Sequence, residues 1–145
     1  MDHLAAQPAV AAGLGRRFGS LCYETLLLAA ILLVSGGVFV FLSNDLDIAL
    51  RRPLLQLFLV AVTVAYFVYS WTHGGQTLPM KTWRIRVVTR EGDAISLRIG
   101  AYRYLFALLG IGLCGIGLMW ALIDRDRQFL HDRLAGTKIV RCTSE

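Results

Sequence analysis

Residues 21–42 read LCYETLLLAAILLVSGGVFVFL: 22 positions with one formal charge, Glu24. A helix crossing the roughly 30 Å hydrocarbon core of a bilayer needs about 20 mostly apolar residues. Each backbone amide and carbonyl there must be satisfied within its own helix. Two more windows, 53–72 and 104–123, hold 20 residues each and no charge. The other 24 charged residues lie outside the three windows. This partition predicts an all-α membrane protein with three apolar helical segments.

The whole composition agrees. Of 145 residues, 56% are hydrophobic and 17% charged, against about 25% charged in an ordinary soluble domain. Disorder, a collagen-like fibre and a disulfide scaffold are excluded. Arg16 and Arg17 precede an apolar run longer than the roughly 7–15 residues of a cleavable signal, so the first helix is expected to be retained. The expected organisation is a flexible N-terminal segment (1–15), a membrane domain (16–141) and a short tail (142–145).

Between the windows the chain is polar. The first helix is expected from near Arg17 or Gly19 to Leu42, followed by a polar turn. Pro53 after Arg51 and Arg52 suits a helix start. The second helix is expected to run to Thr72, with Tyr66, Tyr69 and Trp71 at headgroup level, and to stop at Gly74 and Gly75. In the connection 73–103, residues 83–88 and 94–99 alternate apolar and polar side chains around a Glu91-Gly92-Asp93 turn. That is the period of strands and predicts a short basic β-hairpin between the second and third segments. Isolated hairpins are marginal, and residues 137–141 offer a third strand.

Topology stays open at this level. Three full crossings from an inner N-terminus leave 8 basic residues inside and 7 outside, a weak bias. A third segment that turns back, bent at the Gly-rich stretch 110–117, leaves 13 inside and 2 outside. The plain crossing is the simpler expectation. Gly110, Cys114, Gly117 and Ala121 recur at helical spacing and read as one stripe of small residues for close helix packing.

The remaining chemistry is sparse. Cys22, Cys114 and Cys142, and His3, His73 and His131, match no metal or redox spacing. No nucleophile triad stands out, and the Gly-rich stretch carries no phosphate-binding Lys. The expectation is no enzyme, no cofactor and no metal. The net charge of +5 flanks apolar spans, so anionic lipid headgroups are the expected partner and nucleic acid is not. Three helices enclose no pore, so a homo-oligomer or another membrane subunit is the expected companion of any transport path.

Three stretches carry a family resemblance. Arg17 precedes Glu24 by seven residues. Gly75-Gln76-Thr77-Leu78-Pro79-Met80-Lys81 follows the second window. Leu130-His131-Asp132-Arg133-Leu134-Ala135-Gly136-Thr137 follows the third. Together they resemble the RDD family of small bacterial membrane proteins, named for one arginine and two aspartates. The resemblance spans roughly 16–141. It puts the family arginine on Arg17 and the second aspartate on Asp132. Glu24 stands where the first aspartate is expected, and Pro79 where glycine is common. The resemblance implies a multi-pass protein of the bacterial inner membrane. Transport of an unidentified ligand is the usual suggestion for the family, and cation/proton exchange is associated with some members. A non-transporting module that assembles a partner or binds lipid is the other reading.

Burial physics ranks the residues. A charged side chain at the centre of a membrane helix costs about 2.5–3.5 kcal/mol on insertion scales. Glu24, about one turn inside, should therefore be protonated or paired. Arg17 lies about 10 Å away along the helix, too far for a direct bridge, and Arg103 is the preferred partner. Arg17, Glu24, Arg103 and Asp132 form the expected ion or packing network. Gly75, Gln76, Thr77 and Lys81 are expected to shape a turn, with Thr77 as a cap and Lys81 at the membrane surface. His131, Arg133, Gly136 and Thr137 belong to a short amphipathic turn. Asp132 there is expected to pair with Arg84, Arg86 or Arg98.

Overall fold

The computed structural model describes residues 10–113 and 115–142. Two long helices dominate: α1 (Leu14–Leu42) and α2 (Ile48–Thr72). Both are long and apolar enough to cross a membrane. At 1.5 Å per residue they measure roughly 43 and 38 Å. Helix α1 opens three residues before Arg17. Helix α2 begins five residues before Pro53, because the Asp47 carbonyl accepts the Leu50 and Arg51 amides at 3.1 and 2.8 Å. Pro53 then sits in the second turn, where it withholds an amide only from Ala49. The helices touch through a Phe39–Phe58 ring stack with centroids 5.0 Å apart.

The smaller elements gather at the other end of this pair from its 43–47 turn. They are α3 (Leu78–Thr82), β1 (Ile85–Thr89), α4 (Leu97–Gly112), α5 (Ile116–Ile123), α6 (Leu130–Leu134) and β2 (Thr137–Arg141). Strands β1 and β2 are antiparallel, with Ile85 opposite Arg141 and Thr89 opposite Thr137. On the outer edge of β2, residues 10–12 add a short extended run: Ala12 N–H donates to Ile139 at 3.0 Å, and Arg141 N–H to Val10 at 3.0 Å. The outer edge of β1 is covered too, since Val87 N–H donates to the Gly75 carbonyl at 2.7 Å. Ile85, Val87 and Ile139 are buried with Phe129 and Trp71 in one apolar core.

Residues 94–99 do not form the second strand of a hairpin. Ile95 is buried in the core, and Ser96 caps α4, its hydroxyl accepting the Ile99 amide at 3.4 Å. Six alternating residues fit a strand, but a serine before a long apolar helix is also an N-cap, and the helix prevails. The connection thus contributes one strand, and the chain terminus contributes its partner.

That pairing decides topology. Sheet β1–β2 joins the α2–α4 connection to the tail, so both lie on one side of any bilayer that α1 and α2 cross. A third segment that carried the tail to the far side would break this ladder. The segment is instead broken: α4 and α5 meet at 95°. The expected single stripe of small residues breaks with it. Gly110 and Gly117 face each other across the bend, and a Cβ on Gly117 would lie 2.9 Å from the Gly110 Cα. Cys114 falls outside the described residues. Thr63 on α2 and Tyr104 on α4 share a hydroxyl hydrogen bond of 2.6 Å, which ties the bent segment to the long pair.

Candidate functional site

Arg17, Ser20 and Glu24 follow the i, i+3, i+7 spacing of one helix face, and all three are buried. They line a cavity of about 420 Å³ among α1, α2 and α4. Arg103, Trp71 and His131 reach its charged end, while Leu28, Leu32, Leu59, Ala107 and Leu108 line the rest.

Glu24 does not pair with Arg103. One carboxylate oxygen accepts the Tyr66 hydroxyl at 2.6 Å and the other the Thr77 hydroxyl at 2.5 Å. Two neutral donors from two different elements thus satisfy the one acid of the apolar windows. Sequence reading took Tyr66 for an interfacial aromatic. The usable signal was that a buried acid on one helix requires polar side chains on its neighbours.

Arg103 pairs instead with Asp132 of α6, and both are sealed from solvent. Its guanidinium also donates to Thr137 Oγ1 at 3.0 Å and stacks over Trp71, 4.6 Å from the ring centroid. Asp132 therefore does not pair with Arg84, Arg86 or Arg98. Those side chains belong to an exposed turn and strand face or to the first turn of α4, whereas Asp132 is wholly buried. Ion pairing follows burial here: the buried carboxylate pairs with a buried guanidinium rather than with an exposed one.

Arg17 is 2% exposed. It donates to the Arg127 carbonyl at 2.5 Å and to the Ile139 carbonyl at 3.5 Å. Arg127 adopts a left-handed backbone (φ 51°), uncommon outside glycine, in the turn that presents this carbonyl. No carboxylate among the described residues lies within ion-pair distance of Arg17, and its Nε has no hydrogen-bond partner. A buried cation whose hydrogen bonds go to carbonyl dipoles is costly. Arg103 Nε, Trp71 Nε1 and Asp132 Oδ2 are likewise unpartnered.

The motif residues brace this centre. Gly75 has φ +71°, and a Cβ there would lie 2.5 Å from the Val87 carbonyl oxygen, so only glycine fits. The Gln76 side chain donates to the Ile85 carbonyl at 2.8 Å and to Cys142 Sγ at 3.3 Å. Thr77 caps α3, accepting the Met80 amide at 3.5 Å, while its proton goes to Glu24. Lys81 is exposed. His131 is buried against Phe129, with ring centroids 5.5 Å apart. Burial pushes its pKa down to about 4, outweighing the Asp132 carboxylate 3.8 Å away, and nearby Arg103 adds to the shift. Arg133 pairs with Asp124, the residue that ends α5, a partner missed in the sequence. Gly136, with φ +69°, turns the chain from α6 into β2. Among the described residues no three His, Cys, Asp or Glu side chains cluster as a metal site would require.

The RDD family model matches residues 11–136. Over 83 residues the chain is 30% identical to an uncharacterised protein of Rickettsia prowazekii (strain Madrid E), covering 57% of this chain and 46% of that protein. The chain thus spans about half the length of this relative. No solved structure matches. With a family match running from the extended N-terminal residues through α6 to the turn before β2, this membrane protein belongs to the RDD family.

Proposed function

We propose that this chain is a transport-related, multi-pass protein of the bacterial cytoplasmic membrane, and that its ligand occupies the cavity among α1, α2 and α4. One observation carries the reading: a cavity with two buried arginines at one end and hydrocarbon walls along the rest. Its size lies within the roughly 300–1,000 Å³ of small-molecule sites. Buried charge in a membrane helix marks a functional site by default. The same reading makes the chain a binding protein rather than an enzyme.

Cation/proton exchange is the second reading, and Glu24 is what favours it. The fixed charges at the cavity weigh against it, since Arg17 and Arg103 line the space and repel a cation.

Reconstitution tests both. Proteoliposomes carry an internal pH dye and a fluorescent phospholipid confined to one leaflet. Loss of leaflet asymmetry that the cavity-filling Ala107→Trp abolishes is the expected result. Sodium- or potassium-driven pH change that Glu24→Gln abolishes favours exchange. Inertness in both assays, with a stable protein partner co-purifying, overturns the transport reading in favour of an assembly module.

A further inference from the structure

Resting on the cavity reading above, we propose that the cavity binds a membrane amphiphile with a single anionic headgroup, a carboxylate or phosphate ester, received by Arg17. Three features converge. Arg17 is buried without a carboxylate partner among the described residues, and its Nε has no hydrogen-bond partner. Arg103 brings a second guanidinium to the same end, its Nε also unpartnered, while Asp132 balances one of the two charges. Glu24 spends both oxygens on Tyr66 and Thr77. Arg17 is therefore a buried guanidinium at the cavity's polar end with no carboxylate within ion-pair distance among the described residues.

The shape selects the rest of the ligand. Beyond Glu24 the walls are mostly apolar, with Leu28, Leu32, Leu59, Ala107 and Leu108 among them, and the Thr63 and Tyr104 hydroxyls there bond to each other. These walls offer a water-soluble anion nothing, and they suit a hydrocarbon chain. Leu108 is about half exposed on the outer side of α4, so a chain longer than the cavity continues toward lipid. A guanidinium engages carboxylate or phosphate oxygens in a planar two-pronged geometry, and Ser20 adds a hydroxyl one turn above. Basic side chains at the surface attract anionic lipid only as a screened cloud, whereas Arg17 is 2% exposed at the end of a cavity.

The test is native mass spectrometry of the full chain ejected from nanodiscs of phosphatidylcholine with either palmitic acid or phosphatidic acid at one tenth of the lipid. Wild type is expected to retain one anionic lipid at collision energies that strip phosphatidylcholine. Arg17→Gln is expected to lower that retention at least tenfold, with Arg17→Lys intermediate. Arg98→Gln, at an exposed basic position, should leave it unchanged. Arg17 also holds two backbone carbonyls, so Ala107→Trp, which leaves every charge in place, is run beside it and should lose the adduct while the protein stays folded. A single phosphatidylcholine retained by wild type, lost in Ala107→Trp and unmoved by Arg17→Gln, overturns the anionic ligand and leaves the cavity reading standing. Saturation by inorganic phosphate without lipid overturns the amphiphile. Absence of any retained molecule in wild type, with both variants silent, overturns the ligand and the cavity reading together.

Discussion

Arg103 in the second turn of α4 and Asp132 in α6, 29 positions apart, form a solvent-sealed ion pair with Thr137 as a third member and Trp71 beneath the guanidinium. It joins the bent third segment to the C-terminal strand. Removing one partner of such a pair leaves an uncompensated buried charge. Asp132→Asn is therefore expected to lower stability by about 3–5 kcal/mol, seen as loss of folded protein from membranes and early unfolding in detergent. Replacing both members, Arg103→Met with Asp132→Leu, should recover most of that loss, because no charge then stays buried alone. Equal instability of the single and double variants would refute the pairing.

Glu24 gives a milder expectation. Gln keeps one carbonyl oxygen but replaces the other acceptor with a donor, so either Tyr66 or Thr77 loses its partner. Glu24→Gln and Tyr66→Phe should each cost about 1–2 kcal/mol. The double variant should cost clearly less than the sum, since with the Tyr66 hydroxyl gone the single Gln carbonyl can serve Thr77 and no second donor is stranded. Thermal unfolding in detergent measures all three, and strict additivity would show that the two groups do not interact.

His131 makes stability fall with acid. Its pKa is about 4 in the fold and about 6.5 when unfolded. Above pH 6.5 both states are neutral and it has no effect. Between 6.5 and 4 the unfolded chain takes a proton that the native chain refuses, so the loss grows as pH falls and levels off below 4. At pH 5 it amounts to about 2 kcal/mol. Denaturation of wild type beside His131→Asn should show this difference opening below pH 6.5, with the wild type more acid-sensitive. Parallel pH profiles would contradict it.

The apolar helices were legible because hydropathy is a local property of the chain. So were Thr77 as a cap and the α6 turn, since both are written in consecutive residues. Partner choice was not. Glu24 and Asp132 each had cations within reach of a sequence argument, but in the fold Asp132 takes the buried Arg103 while Glu24 takes the Tyr66 and Thr77 hydroxyls instead of a cation. The strand error had a similar origin: residues 94–99 alternate like a strand, but Ser96 starts a helix and the β1 edge is taken by residues 48 or more positions away. The bend at residues 110–117 showed as a glycine-rich stretch, yet only the fold explains why glycine is needed there: Gly110 and Gly117 oppose each other and Gly115 has φ +76°.

That opposition is itself testable. Gly117→Ala puts a methyl 2.9 Å from backbone, a contact the two arms must separate to relieve, and overpacking of this kind costs about 1–3 kcal/mol. Gly112→Ala, with open space around its Cβ position, should be nearly neutral. Unfolding in detergent compares the two, and a Gly117 variant as stable as the Gly112 variant would mean the arms do not meet.

The β1–β2 ladder makes the sharpest topological demand. A sheet cannot straddle a bilayer, so the β1 side of the connection and the segment after α5 must face the same compartment. The 43–47 turn, at the far ends of α1 and α2, must face the other. Single cysteines at Arg90, Arg125 and Asn44, all exposed, placed in a chain lacking Cys22, Cys114 and Cys142, report this through labelling with a membrane-impermeant maleimide. Arg90→Cys and Arg125→Cys should label together and Asn44→Cys only from the opposite face. Labelling of Arg125→Cys from the Asn44 side would require a full third crossing and would break the ladder.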